Sequence, residues 1–167
     1  MFVLLVCCQL GFANDLSMED FQGTYVYVPT EKDKKQIQQG LERSVSDFNL
    51  LMRPVVRHVL GDAAKIASRV EIEVGESLTL THYRKGEVAS VKGPWDQELS
   101  SSIRSDLKHV LHWNAPKIER VDTTKDGGRK VVYSLSEDKN KLSVWIKMFS
   151  PQLQTPFVYS LTYQRQQ

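Results

Sequence analysis

Apolar and polar side chains alternate along most of the chain after residue 69. A period of two with one apolar face is typical of a half-buried β-strand. The clearest examples are residues 142–148 and 157–164, which are joined by a short proline-bearing segment. These two segments predict a terminal hairpin whose common apolar face must be buried.

The same alternation recurs between turn signals such as Lys85-Gly86, Gly93-Pro94 and Asp126-Gly127. Residues 95–104 fit neither a strand nor a helix clearly and are left unassigned. The predicted strands are residues 23–28, 69–74, 78–83, 87–91, 107–113, 117–123, 131–135, 142–148 and 157–164. Many short strands at regular spacing predict a mainly β fold, and specifically a sandwich or barrel.

Between the first two strands, at about residues 30–68, the apolar period becomes that of a helix. Thr30 with Asp33 resembles a capping box, and one helical stripe follows it. The stripe consists of Ile37, Leu41, Val45 and Phe48. Pro54 suits the first turn of a second helix, which we expect to end near Ser68. The pattern therefore predicts a helical hairpin.

Residues 2–12 are apolar and uncharged, but the run is too short to span a bilayer as a helix. Gly11 and Ala13 provide the small residues of a cleavage site before Asn14, as in a secretory signal peptide without its basic region. We therefore predict a signal peptide at residues 1–13, one mature domain at residues 14–167, and export to a periplasmic or extracellular compartment.

Two other interpretations of the N-terminal segment remain open. The first is a buried N-terminal strand or helix. The second is a lipidated Cys7 or Cys8, but Val6 and Cys7 are poor residues to precede a lipidated cysteine. Both cysteines of the chain lie in this segment, so the mature domain is predicted to have no disulfide, thiol nucleophile or cysteine metal site.

Composition and motifs argue against several classes of function. A formal net charge of +2 over 167 residues gives no reason to expect a nucleic acid or an anionic membrane as partner. His109 and His112 would face opposite sides of a strand, which does not suit a metal site. No nucleophile elbow, phosphate loop or dinucleotide fingerprint is found. We therefore predict a non-enzymatic protein without a cofactor or stable membrane insertion, and rank an enzyme on a barrel scaffold last.

The order of elements, one strand, a helix pair and then consecutive hairpins, resembles that of fatty-acid-binding-protein barrels. FQGTYVYV (residues 21–28) and FVYSLTYQR (157–165) resemble the opening and closing strands of lipocalin-like (calycin) proteins, although Tyr25 stands where lipocalins usually carry Trp. MRPVVRHVL (52–60) and residues 134–165 also resemble a group of exported bacterial lipocalin-like proteins with no assigned chemistry. The resemblance implies an antiparallel up-and-down barrel of about eight to ten strands.

A barrel of this size offers its interior as a binding site. Alternation predicts which side chains point inward, and the polar ones could orient a ligand. The inward candidates are Leu80, His82, His109, Leu111, Arg120, Tyr133, Leu135, Ile146, Met148, Tyr159 and Tyr163. From these we take His82, His109, Arg120, Tyr133, Met148, Tyr159 and Tyr163 as ligand-binding residues. Arg53 and Arg57, one helical turn apart, are candidates for a positively charged portal.

Each of these assignments has an ordinary structural alternative. An inward Arg120 would require a carboxylate partner, such as the head group of a fatty acid. Val121 is apolar too, and on balance the pattern favours an exposed Arg120. Inward tyrosines commonly fill a core, and Arg53 and Arg57 also suit a solvated helix face. Tyr163 and Arg165 resemble the Arg-x-Tyr pair of fatty-acid-binding proteins in reversed order, so that role is not transferred to Arg165.

The favoured function is binding or carriage of a small apolar or amphipathic ligand, such as a fatty acid, in the barrel interior. The helix pair would then act as a lid. The alternative is a filled barrel that serves as a structural or protein-binding module of the cell envelope. The sequence does not identify protein partners.

Overall fold

The computed structural model describes residues 16–101 and 105–166. Within these residues the chain forms a short 3-10 helix, Glu19–Phe21, two α-helices and ten strands. The helices are α1, Glu31–Ser46, and α2, Arg53–Ala63. The strands are β1 Gly23–Tyr27, β2 Arg69–Val74, β3 Leu78–Arg84, β4 Glu87–Gly93, β5 Leu99–Ser100, β6 Lys108–Asn114, β7 Lys117–Thr124, β8 Gly127–Leu135, β9 Lys141–Phe149 and β10 Phe157–Arg165.

All ten strands belong to one antiparallel sheet in the order β4-β3-β2-β1-β10-β9-β8-β7-β6-β5. Neighbouring strands are consecutive in the chain except for β1 and β10, which pair with Tyr27 opposite Tyr163, and the consecutive strands β4 and β5 form the two edges of the sheet. The edge strands β4 and β5 approach each other, because the side chain of Leu99 packs against Gly93. The fold is therefore a nearly closed barrel with a helical hairpin after the first strand, as predicted.

Alternation correctly identified the inward face of the barrel. Leu80, Leu111 and Tyr133 are fully buried, and Leu135 is partly buried against the same core. Burial alternates with exposure along β9, where Leu142, Val144, Ile146 and Met148 are all buried. The apolar faces of the strands thus meet in a single interior.

The two ends of the barrel are closed differently. Because the strands are antiparallel, β1, β3, β7 and β9 end where the helices lie, while β2, β4, β8 and β10 begin there. We call this the helical end. At the other end Phe21 of the 3-10 helix packs edge-on against Trp113, with ring centroids 5.8 Å apart. The Tyr25 hydroxyl donates a 2.9 Å hydrogen bond to the Phe21 carbonyl oxygen.

Helix α1 begins as predicted, since Thr30 Oγ1 accepts a 3.1 Å hydrogen bond from the Asp33 amide. The prediction for the end of α2 was wrong: the helix ends at Ala63, not near Ser68. The reason is that the Ser68 backbone pairs with neighbouring strands. Its amide donates to Tyr83 O and its carbonyl accepts from the Tyr27 amide. A residue bound on both sides by strands cannot continue a helix.

The unassigned segment 95–104 contains β5, and residues 102–104 lie outside the described residues. The predicted signal peptide, with Cys7 and Cys8, also lies outside them.

Candidate functional site

The barrel contains a partly open cavity of about 60 Å³ towards its helical end. One water molecule takes up about 30 Å³ in the liquid, so this space suits a small polar group rather than an extended acyl chain. Part of its wall is apolar, from Ile66, Val70 and Leu161. The polar side chains in its wall are His82, Arg84, Arg120, Arg129, Tyr133, Tyr159 and Tyr163, with Lys65 at the rim.

Asp122 joins three cationic or hydrogen-bonding side chains beside this cavity. Its Oδ1 accepts from Arg120 Nε at 2.7 Å and lies 2.6 Å from His109 Nδ1, while Oδ2 accepts from Arg129 Nε at 2.8 Å. Asp122, Arg120 and His109 are all buried, and Arg129 is partly exposed. We call these four residues the arginine cluster. Alternation along β7 and β8 brings Arg120, Asp122 and Arg129 to one face.

The charge state of Asp122 follows from its neighbours. Burial alone would raise the pKa of this carboxyl, but the charges of Arg120 and Arg129 outweigh that effect and hold the pKa at about 2. Asp122 is therefore ionised at neutral pH. It offsets one of the positive charges that the arginines bring into the barrel.

His82 and Tyr133 form a second polar pair across the interior. His82 Nε2 and the Tyr133 hydroxyl share a 2.9 Å hydrogen bond. The pKa of His82 is lowered to about 3, first by burial and then by the nearby charges of Arg120, Arg129 and Arg84. Burial also raises the pKa of Tyr133 to about 12. Both groups are thus neutral at pH 7 and can act as hydrogen-bonding groups.

Arg84, the last residue of β3, carries a positive charge that its surroundings leave unbalanced. It lines the cavity, and its buried Nε has no hydrogen-bond partner. Among residues 16–101 and 105–166, no ion pair involves Arg84. Three guanidinium groups, Arg84, Arg120 and Arg129, line the cavity, and one carboxylate, Asp122, pairs with the last two. Lys65 also lines the cavity but pairs with Asp62 at 3.7 Å, so the three arginines exceed their carboxylate partner by two positive charges. Guanidinium groups stay protonated in proteins, so this charge persists.

A larger cleft of about 550 Å³ lies outside the cavity, between α2 and the β7–β8 turn. Arg84 and Arg129 line both spaces and therefore connect them. The remaining wall of this outer cleft is mixed, with two carboxylates, Asp62 and Asp126, among its polar members. Its apolar members are Val59, Leu60, Ala63, Met148, Phe149 and Leu153.

The structure brings most of the predicted ligand-binding residues together. His82, Arg120, Tyr133, Tyr159 and Tyr163 line the cavity. Met148 lines the outer cleft, and His109 contacts the cavity wall through Asp122. Burial raises the pKa of Tyr159 to about 12, so its hydroxyl is protonated at neutral pH. Contact of these residues with a ligand stays a prediction.

The preference for an exposed Arg120 was wrong, because its side chain is almost fully buried. The carboxylate that an inward Arg120 requires is Asp122, two residues further along the same face of β7. Val121 lies on the outer face and is only partly buried. Its apolar character was therefore misleading.

Arg53 and Arg57 belong to the helical hairpin and line neither the cavity nor the outer cleft. Arg53 donates to the carbonyl oxygens of Ser46 and Phe48, which fixes the connection between the helices. Arg57 forms a two-bond pair with Glu42, at 3.0 and 2.8 Å, and so links α1 to α2. Their role at a portal stays a prediction.

Sequence reasoning missed Arg84 and Arg129, which are central to the site. The signal was available: Arg84 follows Leu80 and His82 at a spacing of two, and Arg129 precedes Val131 and Tyr133 in the same way. Both were overlooked because they lie at strand ends, next to turns. Arg165 lies elsewhere: its guanidinium donates to the Asp20 carbonyl oxygen and the Tyr25 hydroxyl, at the end opposite the helices.

Two kinds of feature are absent from residues 16–101 and 105–166. No group of three or more His, Cys, Asp or Glu side chains there is arranged to hold a metal ion. No helix formed by those residues has the length and apolar character needed to cross a bilayer.

Comparison with known proteins identifies the fold. No protein-family model matches the chain, and no curated protein matches it in sequence. Among solved structures, apo lipid binding protein 8 of Caenorhabditis elegans is similar with a TM-score of 0.59 and 14% identity, covering 90% of this chain and 99% of that chain. Fatty-acid-binding protein 1 of Echinococcus granulosus gives 0.56 and 12%, covering 89% and 98%.

A fatty-acid-binding protein of Schistosoma mansoni, solved in complex with arachidonic acid, gives a TM-score of 0.56 and 13% identity over 90% of this chain and 99% of that chain. The chain therefore has the fold of fatty-acid-binding and related lipid-binding proteins, as the order of its elements predicted. At these identities the similarity shows the fold alone.

Proposed function

We propose that the protein binds a small amphipathic anion without catalysing a reaction. The head group would occupy the cavity, and the apolar part would occupy the outer cleft. The observation that carries this proposal is the excess of two guanidinium charges over their carboxylate partner around a partly open cavity. Uncompensated buried charge costs several kcal/mol, and an anionic ligand would remove that cost.

The two spaces support this orientation of the ligand. The cavity is small and carries three guanidinium groups, whereas the outer cleft is about nine times larger by volume and offers an apolar strip of six side chains. Arg84 and Arg129 stand between them and could donate charge-assisted hydrogen bonds to a head group. The titles of the similar structures, which name lipid or fatty acid binding, agree with an amphipathic ligand.

Thermal unfolding with octanoate, decanoate and octylamine tests the proposal. The two carboxylates should raise the melting temperature and the cationic amine should not, because the cavity is positive. Ala63→Trp should abolish the stabilisation, since Ala63 lines the outer cleft. Val55→Trp, on an exposed part of α2 outside the cleft, is the matched control. Equal stabilisation of both variants by the carboxylates would contradict the proposed position of the tail.

A filled barrel acting as a structural or protein-binding module is the second candidate. The volume of about 60 Å³ favours it, since most of the interior is occupied by side chains. This candidate predicts no stabilisation by any of the three amphipaths. Native mass spectrometry of protein purified from its own cells would separate the two, because only the binding protein should retain a small ligand.

We also propose that the protein is exported after removal of residues 1–13. The support is the uncharged apolar segment followed by Gly11 and Ala13. Cell fractionation with N-terminal sequencing should find a mature chain that begins at Asn14 outside the cytoplasm. Recovery of a cytoplasmic chain that begins at Met1 would overturn this proposal.

A further inference from the structure

The number of guanidinium charges around the cavity without a carboxylate partner indicates how much negative charge a bound head group should carry. Arg84, Arg120 and Arg129 lie on three strands, β3, β7 and β8, and line the same small space. All three act electrostatically on His82, which lies among them. Asp122 is the carboxylate that ion-pairs with Arg120 and Arg129. Of the two guanidinium charges that exceed Asp122, a monocarboxylate would balance one and a dianion both, while Lys65 at the same cavity has Asp62 as its partner.

We infer that the head group bound in this cavity is a dianion of the phosphate monoester class. This inference rests on the function proposed above. It goes beyond the fatty-acid carboxylate that the sequence resemblance implies.

Geometry supports a compact oxyanion with several acceptor oxygens. The Arg84 Nε is buried and lacks a partner, so it is available as a donor to a ligand. Arg120 and Arg129 each use Nε for Asp122. A guanidinium has five N–H donors, so both arginines retain donors beyond that bond. Three guanidinium groups around one space match the several oxygens of a phosphate better than the two of a carboxylate.

Neutral groups complete the wall. The Tyr133 hydroxyl bonds to His82, and Tyr159 contributes a second hydroxyl. None of these three groups is charged at neutral pH. Burial raises the pKa of both tyrosines to about 12 and lowers that of His82 to about 3. The wall thus adds hydrogen-bonding groups without adding a negative charge that would repel a dianion.

The test uses the full chain and calorimetric titration at pH 7.5 with octyl phosphate, octyl sulfate, octanoate and inorganic phosphate. A phosphate monoester has its second pKa near 6, so it is mainly a dianion at pH 7.5 and a monoanion at pH 5. Octyl phosphate should bind about tenfold more tightly than octanoate, which corresponds to about 1.4 kcal/mol. Its advantage over octyl sulfate should disappear at pH 5.

The sulfate is the control for titration of the protein itself. The ionisable groups that line the cavity are Lys65, His82, Arg84, Arg120, Arg129, Tyr133, Tyr159 and Tyr163, and Asp122 and His109 are bonded to them from outside its wall. Octyl sulfate is a monoanion at both pH values, so any change in these groups affects both ligands. The ratio of the two affinities therefore reports the second charge of the phosphate.

Arg84→Gln supplies the second line of evidence. Removal of one charge should lower the affinity for octyl phosphate about tenfold and largely spare octanoate, because a monoanion then balances the site. Arg43→Gln is the matched control, since Arg43 is exposed on α1 and bonds to the Gln39 carbonyl oxygen. It should leave both affinities unchanged. If Arg84→Gln does not fold, the ratio of the octyl phosphate and octyl sulfate affinities of the unaltered protein at the two pH values still decides the question.

The outcomes distinguish the inference from the proposed function. Equal or tighter binding of octanoate overturns the dianion but leaves the amphipath-binding function in place. Absence of binding by every ligand overturns both. Binding of inorganic phosphate as tight as that of octyl phosphate supports the dianionic site and contradicts a contribution from the apolar tail.

Discussion

At the scale of single residues, Asp122 has the strongest influence on the interior. It is the carboxylate bonded to Arg120 and Arg129, and it also contacts His109. Its replacement would leave two guanidinium groups without an ion-pair partner, one of them almost fully buried. Because broken buried ion pairs are costly, this one side chain should strongly affect the stability of the fold.

We expect Asp122→Asn to lower the free energy of unfolding by about 3–5 kcal/mol, measured by urea denaturation. Glu98→Gln is the control, because Glu98 pairs with Lys108 at 2.7 Å on the exposed surface. It should cost less than about 1 kcal/mol. Similar losses for both variants would mean that burial does not set the strength of the Asp122 ion pairs.

His82 should make stability depend on pH. Because burial depresses its pKa to about 3, the unfolded chain binds a proton below pH 6.5 that the folded chain does not bind. Stability is therefore fully present above pH 6.5 and is lost as the pH falls towards 3. Between pH 6.5 and 4.5 we expect His82 to lower the free energy of unfolding by about 2 kcal/mol.

Urea denaturation at these two pH values, on His82→Gln and on the unaltered chain, measures this contribution. On acidification the free energy of unfolding of His82→Gln should fall by about 2 kcal/mol less than that of the unaltered chain. Tyr133→Phe is the control, because it removes the hydrogen bond to His82 but keeps the histidine. An unchanged pH dependence in His82→Gln would show that other groups cause the loss.

At the scale of elements, the contact between α1 and β10 depends on a glycine. A Cβ atom at Gly40 would collide with the Val158 carbonyl oxygen and lie 3.2 Å from the Phe157 ring. The backbone of α1 therefore lies directly against the start of β10. By contrast, no atom lies within 4 Å of the Cβ position at Gly61 in α2.

This difference gives two opposite predictions for the same substitution. Gly40→Ala should destabilise the protein by about 1–3 kcal/mol, because the helix must move away from the strand. Gly61→Ala should stabilise it by about 0.5–1 kcal/mol through better helix propensity. Both values come from chemical denaturation. Stabilisation by both variants would contradict the close packing of α1.

At the scale of the whole molecule, the barrel and the hairpin should differ in local stability. The strands β8, β9 and β10 are central in the sheet, and their inward residues are largely buried. In α2 only Leu60 is buried, and Val55 and Val59 are exposed. A segment with few buried side chains opens more readily than the core.

Hydrogen exchange followed by mass spectrometry should therefore show faster exchange in α2 than in β9. Opening of α2 would uncover the outer cleft, because Val59, Leu60 and Ala63 form one of its walls. Octyl phosphate should slow exchange in α2 more than in β9. Equal protection of the two segments without ligand would argue against a mobile lid.

The sequence alone determined the element types and most of the architecture. Alternation, β-rich composition and turn signals identified nine of the ten strands. Alternation also identified most of the inward faces, because each strand had to bury one side, but the preference for an exposed Arg120 on β7 was wrong. Thr30 and Pro54 marked the starts of the helices through local backbone chemistry. For the same reason His82, Tyr133 and Tyr159 were correctly assigned to the interior.

Tertiary structure decided which of these side chains meet. The partner of Arg120 is Asp122, and the charge balance also depends on Arg84 and Arg129 from other strands. The end of α2 was set by hydrogen bonds of Ser68 to distant strands. A periodic pattern predicts whether each residue is buried. Charge balance and cavity volume depend instead on the three-dimensional arrangement of several strands.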